Sequence, residues 1–148
     1  MNYLIDTNVL LRGVQKGHAM FNDADVAVKT LLGLGEVLCV APQNLVEFWA
    51  VATRPLAYNG LGLMIEQVAR ELNRLKMILT VLPDVPDIFP EWERLVIQHR
   101  VSGKQTHDAR IVAAMKVHGV THLLTFNTDD FKRYADIAAV HPAHVAAP

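Results

Sequence analysis

The sequence predicts a three-layer α/β/α fold, in which helices cover both faces of a mostly parallel sheet of about five strands. Short apolar runs alternate with longer segments of helical periodicity along the 148-residue chain. This alternation favours parallel strand pairing, because each helix returns the chain to the start of the next strand. In such sheets, functional groups collect where the strands end.

Apolar runs with the length of buried strands recur along the chain. The predicted strands are Tyr3 to Ile5, Val37 to Ala41, Ile78 to Leu82, His122 to Thr125 and Ile137 to Val140. Segments of helical periodicity lie between them, and Gly119 is placed to end the last one. The predicted helices are a short one after Asp6, then Ala24 to Leu34 behind a cap at Asp23, Gln43 to Thr53, Met64 to Lys76, Pro90 to His99 and Thr106 to His118.

The composition is that of one globular domain over residues 1–148, with 51% hydrophobic and 20% charged residues. The formal net charge of -1 excludes a global basic field, so any nucleic-acid site must be a local patch. The single cysteine, Cys39, lies in an apolar run and is expected in the core, which fits a reducing compartment. No stretch approaches the ~18 apolar residues of a membrane span, and we expect a cytoplasmic protein.

Asp6 directly follows the first predicted strand and precedes a helical segment. A carboxylate at the carboxyl end of a parallel strand is well placed for a functional site. Asp is also a common helix N-cap, and position alone leaves both roles open for Asp6.

Glu47 interrupts an apolar helical segment, and its burial is costly unless it is paired, protonated or bound to a cation. A solvent-facing position on an amphipathic helix is the alternative, and it is favoured when Glu47 is considered alone. Helical spacing puts Arg54 on the same side as Glu47, so Arg54 could reach the same cleft.

Asp108 lies at the start of the last predicted helix, at helical spacing from Ile111, Val112 and Met115. These three apolar residues are expected to face the sheet, so Asp108 should point toward the strand ends. Stabilisation of the helix start by an acidic side chain is the alternative, and position does not decide between the two roles.

Together, the three acids suggest one shared all-oxygen site suited to a hard cation such as Mg²⁺ or Mn²⁺. The seven histidines are scattered and form no HExxH pair, which argues against zinc. His107 adjoins Asp108, but neighbours on a helix project in different directions, so we expect a surface or packing role for His107.

Four segments carry a family resemblance through their order and spacing, although none is distinctive alone. They are Leu4 to Leu10, Asn44 to Trp49, His107 to Ala113 and Leu123 to Phe131. Over nearly its whole length the chain resembles a PIN domain, and most closely the VapC-type toxins of bacterial toxin–antitoxin pairs. The resemblance implies a PIN-like fold and a ribonuclease activity that depends on Mg²⁺ or Mn²⁺.

The resemblance also implies a ligand set in which three acids and a fourth Asp or Asn bind one or two divalent ions. In this sequence the set is Asp6, Glu47, Asp108 and Asn127. Asn127 is neutral and adds no charge to hold a second ion, so one tightly bound ion is favoured. Asp129 or Asp130 could supply the missing charge, although Thr128 to Lys132 also fits the capped start of a short helix.

Thr7 and Asn8 match positions that in the family hold the first Asp or contact substrate, with ordinary helix-start chemistry as the alternative. In the implied mechanism, water activated near Asp6 and Asp108 attacks a phosphodiester, and the cation neutralises charge on the phosphoryl oxygens. The cationic residues proposed to contact flanking phosphates are Arg54, Lys104 and Arg110, with structural salt bridges as the alternative.

Two other functions remain open from the sequence. A Mg²⁺-dependent phosphatase of the haloacid-dehalogenase kind also begins with a strand that ends in Asp. That family needs a second Asp two residues later, where this chain has Asn8. A non-catalytic PIN-like interaction module would usually have lost one of the three acids, and all are present here.

The partners expected from the resemblance are an RNA substrate, a small cognate antitoxin and a second copy of the chain in a homodimer. The antitoxins of such toxins wrap the partner and reach into its site. Apolar residues suited to such interfaces are Phe48, Trp49, Leu61, Leu63 and Met64, with core packing as the alternative for most of them.

Overall fold

Short parallel strands form the central layer of the molecule. The computed structural model describes residues 1–145, and its strands are β1 (Asn2–Ile5), β2 (Val37–Val40), β3 (Thr80–Val81), β4 (His122–Leu124) and β5 (Ala138–Val140). They lie in the order β3-β2-β1-β4-β5, and every neighbouring pair is parallel. Leu4 of β1 is therefore paired with Cys39 of β2 on one side and with Leu123 of β4 on the other. The predicted parallel sheet is confirmed.

Helices connect the strands throughout residues 1–145. The α-helices are α1 (Thr7–Arg12), α2 (Phe21–Gly33), α3 (Pro42–Thr53), α4 (Ile65–Ile78), α5 (Ile88–Gln98) and α6 (Gln105–His118). Short 3-10 helices span Leu56–Tyr58, Thr128–Phe131 and Pro142–His144. None of the helices in this part of the chain combines the length and the hydropathy that crossing a bilayer requires.

The helices pack on both faces of the sheet, which gives the predicted three layers. Successive strand residues point to opposite faces. Leu4 packs in a cluster with α5 and α6, whereas Ile5 packs with α1 to α4. Cys39 and Val40 of β2 divide between the two clusters in the same way, and the predicted core position of Cys39 is confirmed. A strand covered on both faces needs apolar residues at successive positions, which explains the uninterrupted apolar runs.

Two predicted element boundaries are wrong. β3 contains only Thr80 and Val81, because α4 continues through Ile78 into the apolar run that the sequence assigns to a strand. Periodicity cannot separate a helix end from a strand start within a short apolar run. α2 begins at Phe21, so Asp23 lies in its first turn rather than at the N-cap, which is Met20.

The strand order brings the candidate residues to one edge of the sheet. From β1 the chain moves outward through β2 to β3, and then returns to β4 on the other side of β1. The carboxyl ends of two strands at such a reversal of order commonly form a binding crevice. Asp6 follows β1 and Thr125 follows β4, so both residues lie at this crevice.

Candidate active site

Asp6 is held in one orientation at the carboxyl end of β1. Its Oδ1 accepts a hydrogen bond from the backbone N–H of Thr7 (2.8 Å), which makes Asp6 the N-cap of α1. Its Oδ2 accepts from the hydroxyl of Thr125 (2.8 Å) and from Nδ2 of Asn8 (3.3 Å). The residue is only 8% exposed. Asp6 therefore caps α1, as one of its two sequence interpretations predicted, and it also lies at the crevice.

Glu47 is half-buried and faces Asp6 across the start of α1. Its Oε2 accepts a hydrogen bond from the hydroxyl of Thr7 (3.1 Å), and its Oε1 accepts from Nε2 of Gln43 (2.8 Å). The hydroxyl of Thr7 also accepts from Nδ2 of the buried Asn44 (3.2 Å). Thr7 thus joins α1 to α3, and Glu47 is not the freely solvated residue that its position alone favoured.

Asp108 lies in the first turn of α6, and its side chain is half-buried. Ile111, Val112 and Met115, at helical spacing from it, are at most 3% exposed. This confirms that the shared face of α6 is directed into the core. Asp108 makes no side-chain hydrogen bond to other residues of the described range 1–145, so its carboxylate oxygens are available to a ligand.

The charges of four carboxylates interact at the crevice. Burial raises the pKa of Asp6, and the charges of Glu47 and Asp130 raise it further, against the hydrogen bonds from neighbouring donors. Burial also raises the pKa of Asp108 to about 6, with added contributions from Asp6, Asp130 and Glu47. The neighbouring charges therefore make ionisation of Asp6 and Asp108 less favourable, and a cation placed among the acids would reverse that effect.

Asp130 is the acid that the segment after β4 contributes to this group. Asn127 is exposed, and its backbone N–H donates to Oγ1 of Thr125 (3.1 Å). Asp129 is also exposed and forms an ion pair with Lys132 (2.7 Å). The predicted short helix forms over Thr128–Phe131, although no side chain caps its start. Asp130 is therefore better placed than Asp129 to supply the negative charge that the neutral Asn127 lacks.

Thr125 and Gln43 belong to the site and are absent from the set that the sequence suggests. Thr125 is fully buried and connects Asp6, Asn8 and Asn127 through its hydroxyl. Its position at the end of a predicted strand could have identified Thr125 as a site residue, because the same argument selects Asp6. Gln43 has no such signal, since an amide in the first turn of a helix is unremarkable in sequence.

Gln43 connects α3 to α6 beside the acids. Its Nε2 donates to Glu47 and to the backbone carbonyl of His107 (2.9 Å), and its Oε1 accepts from Nη1 of Arg110 (3.2 Å). Nη2 of Arg110 donates to Asp84 (3.3 Å). The side chain of His107 is exposed, as expected for a surface position. Arg110 is thus the cation that the structure connects to the site.

Arg54 and Lys104 are less closely connected to the acids. Arg54 is exposed at the C-cap of α3, seven residues after Glu47, which corresponds to about 10 Å along a helix axis. Within residues 1–145 it forms no ion pair or side-chain hydrogen bond with the site acids. Lys104 is exposed at the N-cap of α6, one turn before Asp108. Both remain predicted phosphate contacts.

A hard divalent cation needs several oxygen donors directed at one point. As the side chains stand in residues 1–145, no three Asp, Glu, His or Cys groups are arranged to hold a metal ion. The fit therefore depends on chemistry: carboxylate and amide oxygens are the donors that Mg²⁺ and Mn²⁺ prefer. Burial and neighbouring carboxylates raise the pKa of Asp6 and of Asp108, and a divalent cation among these oxygens would favour their ionised forms.

One protein family matches most of the chain. The family model for the PIN domain matches residues 3–137. Among curated proteins, no sequence matches the chain significantly. The fold is similar to that of VapBC2 from Rickettsia felis bound to a promoter DNA fragment, at 16% identity over 95% of this chain and 98% of that chain, with a TM-score of 0.70.

Two further solved structures share this fold. VapBC-1 from nontypeable Haemophilus influenzae is 17% identical over 96% of this chain and 98% of that chain, with a TM-score of 0.71. The sarcin–ricin loop cleaving toxin VapC20 from Mycobacterium tuberculosis is 17% identical over 89% of this chain and 95% of that chain, with a TM-score of 0.67. At these identities the likeness shows the fold.

Proposed function

Because this chain belongs to the PIN-domain family, we propose that it is a metal-dependent endoribonuclease that hydrolyses phosphodiester bonds in RNA. The observation that carries the proposal is the convergence of Asp6, Glu47, Asp108 and Asp130 at the crevice between β1 and β4. We propose further that the protein is the toxin of a VapBC-type toxin–antitoxin pair.

The proposed ligands of one Mg²⁺ or Mn²⁺ are Asp6, Glu47, Asp108 and Asp130, with the amide oxygen of Asn127. When bound, the cation would supply electrophilic assistance, because divalent ions offset charge on phosphoryl oxygens and make nearby water more acidic. The interaction among the carboxylates supports this assignment, since four anionic groups sharing a crevice are stabilised in their ionised form by a positive charge.

The proposed roles of Asp6, Glu47 and Asp108 follow from how many hydrogen bonds restrain each side chain. Asp6 is fixed through donors on both of its oxygens, so it defines where a ligand must lie. Glu47 is oriented by Thr7 and Gln43. Asp108 carries no such restraint within residues 1–145, so its carboxylate is the one that can turn between the cation and an attacking water and accept a proton from that water.

RNA would approach this acidic crevice past the cations on its rim. Arg110 lies on α6 half a turn after Asp108, and Lys104 lies at the start of the same helix. Both are proposed contacts to flanking phosphates, because Arg and Lys provide most backbone contacts to nucleic acids. Arg54 is a weaker candidate, since it lies at the far end of α3.

The proposal is tested with 5′-labelled single-stranded RNAs incubated with the purified protein in Mg²⁺, in Mn²⁺ and in EDTA. We expect cleavage only with the metals. Asp130→Asn and Asp129→Asn form a matched pair, since the two acids are adjacent but only Asp130 acts on the other site acids. Asp130→Asn should reduce cleavage by about 10- to 100-fold, whereas Asp129→Asn should leave it within a few-fold of the wild type.

Each alternative predicts a different outcome. Undiminished cleavage by Asp6→Asn or Asp108→Asn would show that the activity does not come from this site. A non-catalytic module would cleave no RNA and would show no Mn²⁺ binding by isothermal titration calorimetry. A phosphatase would release phosphate from a small phosphomonoester and leave RNA intact.

The proposed protein partner is a cognate antitoxin, because several structures with this fold are VapBC complexes. Of the apolar residues considered for interfaces, Phe48 is fully buried in the core, whereas Met64 is 61% exposed. Trp49, Leu61 and Leu63 are partly buried against the core. Co-expression with the product of a neighbouring short reading frame should yield a complex of fixed stoichiometry and abolish cleavage. Light scattering on the isolated chain should show the proposed homodimer.

A further inference from the structure

A cavity of about 140 Å³ lies between α5, α6 and residues 133–137. The lining residues relevant here are Arg94, His99, Lys116, Arg133, Tyr134 and Asp136. None of them is a proposed metal ligand. A water molecule occupies about 30 Å³ in the liquid, so the cavity has room for a group of several heavy atoms.

The cations at one end of the cavity are already neutralised. Nζ of Lys116 pairs with Asp136 at 2.5 Å, and the guanidinium of Arg94 pairs with Glu91 at 2.5 Å. Nη1 of Arg94 also donates to Gln98 (2.6 Å). This end of the cavity therefore offers little free positive charge to a ligand.

The other end holds donors without partners. Tyr134 is 4% exposed, and its hydroxyl forms no hydrogen bond with another residue of the range 1–145. No polar side-chain atom in that range is both fully enclosed and unpaired, so the hydroxyl retains access to open space. The ring of His99 packs edge-on against Tyr134 at 5.1 Å, and its nitrogens are likewise unpaired there. Arg133 uses Nη2 for Gln105 (2.5 Å), which leaves its other N–H groups available.

This end of the cavity is linked to the start of α6, the helix that carries Asp108. Burial raises the pKa of Tyr134, the charge of Arg133 lowers it and the charge of Asp108 raises it. Gln105, the partner of Arg133, is the first residue of α6, one turn before Asp108. A chain bound at the acids could therefore extend into the cavity.

We propose that this cavity is a subsite for one backbone phosphate of the RNA bound at the acidic site, with Arg133, Tyr134 and His99 as its donors. The proposal rests on the proposed ribonuclease function. A guanidinium suits a phosphate because its N–H groups match the spacing of the phosphate oxygens. Four carboxylates repel a polyanion, so an adjoining positive anchor compensates for that repulsion.

The test measures RNA affinity without cleavage, by fluorescence anisotropy of a labelled single-stranded 12-mer in EDTA. Tyr134→Phe removes a hydroxyl that has no protein partner in residues 1–145, so the fold should be unaffected, and binding should weaken about tenfold. Arg133→Gln should weaken binding at least as much. The slope of the logarithm of the RNA association constant against the logarithm of salt concentration should also become less negative by about 0.7. This is the value for one phosphate contact on a single strand.

Arg74→Gln is the matched control, because the guanidinium of Arg74 also donates to a side chain, that of Glu71, but lies on α4, away from the cavity. It should bind RNA as the wild type does. Equal affinities for the wild type, Tyr134→Phe and Arg133→Gln would overturn the proposal. Inorganic phosphate is titrated in parallel while the NMR signals of His99 and Tyr134 are followed. Binding of phosphate there, with RNA affinity insensitive to both variants, would show a free-anion site and would also overturn it.

The outcome separates this proposal from the ribonuclease function. If no RNA is cleaved under any metal condition but both variants weaken RNA binding, the catalytic proposal fails and the subsite stands. If RNA is cleaved at the acids and both variants bind it normally, the subsite fails and the catalytic proposal stands.

Discussion

Replacing Asp108 with Asn should make the metal-free protein more stable at neutral pH, although Asp108 is a proposed functional residue. In the folded chain, burial and the charges of Asp6, Asp130 and Glu47 raise the pKa of Asp108 from 3.8 to about 6. The carboxylate form is therefore disfavoured by folding. An amide of nearly the same shape removes that unfavourable charge.

The magnitude follows from the pKa of Asp108. One pKa unit corresponds to about 1.4 kcal/mol, so a rise from 3.8 to about 6 corresponds to about 3 kcal/mol of unfavourable free energy. The side chain is partly exposed, and solvent screening reduces the expected gain to about 1–2 kcal/mol.

The pH dependence has a definite sign. Below the unfolded value of 3.8 the Asp108 carboxyl is protonated in both states and causes no destabilisation. As the pH rises through about 6 the folded protein must also ionise, and this contribution to the stability of the wild type is lost. The advantage of Asp108→Asn should therefore be near zero at pH 3.5 and fully developed at pH 7.5.

The assay is urea denaturation in EDTA at both pH values, followed by circular dichroism. Asp23→Asn is the control, since Asp23 also lies in the first turn of a helix but is not among the groups that act on Asp108. Adding Mn²⁺ should stabilise the wild type more than Asp108→Asn, because a ligand that binds only the folded state raises its stability. If the two variants are equally stable at pH 7.5 in EDTA, the electrostatic reasoning is refuted.

Three further substitutions test individual contacts, one at the site and two elsewhere in the fold. Thr125→Val keeps the shape of a fully buried residue but removes the hydroxyl that donates to Asp6. We expect the free energy of unfolding to fall by about 1–3 kcal/mol, with weaker Mn²⁺ binding; a change below about 0.5 kcal/mol would contradict the assigned hydrogen bonds. Gly60→Ala would place a Cβ 2.0 Å from the backbone oxygen of Arg54, so it should shift the thermal midpoint sharply downward. Gly33→Ala, at the end of α2 with no atom within 4 Å of the added Cβ, should instead stabilise by roughly 0.5–1 kcal/mol, and similar midpoints for the two variants would count against the close contact at Gly60.

The sequence predicts the sheet well because a parallel strand covered on both faces has a distinctive apolar pattern. β1 and β4 are recovered to within a residue for that reason. β3 is not, because it is a two-residue strand next to a helix whose own apolar residues continue into the same run. The single domain over residues 1–148 and the cytoplasmic location remain predictions.

The site is predicted only where a residue's position in its own element is informative. Asp6 and Asp108 are found because strand ends and helix starts can be located from sequence. The contribution of Asp130 is not, since it depends on how a 3-10 helix directs two adjacent acids, one toward the crevice and one toward Lys132. The connection from Gln43 to Arg110 joins helices 67 residues apart, and nothing local in the sequence indicates it.

The central position of β1 has a consequence for how the protein is made. β1 leaves the ribosome before the other four strands of the sheet, yet one of its two edges pairs with β4, which is synthesised more than a hundred residues later. The bond from Thr125 to Asp6 spans 119 residues. A growing chain therefore carries Asp6 and Glu47 beside an open strand edge, and such edges readily pair with other chains. The crevice closes only when residues 122–125 are in place, so an incomplete chain lacks the assembled group of acids on which the proposed ribonuclease activity depends.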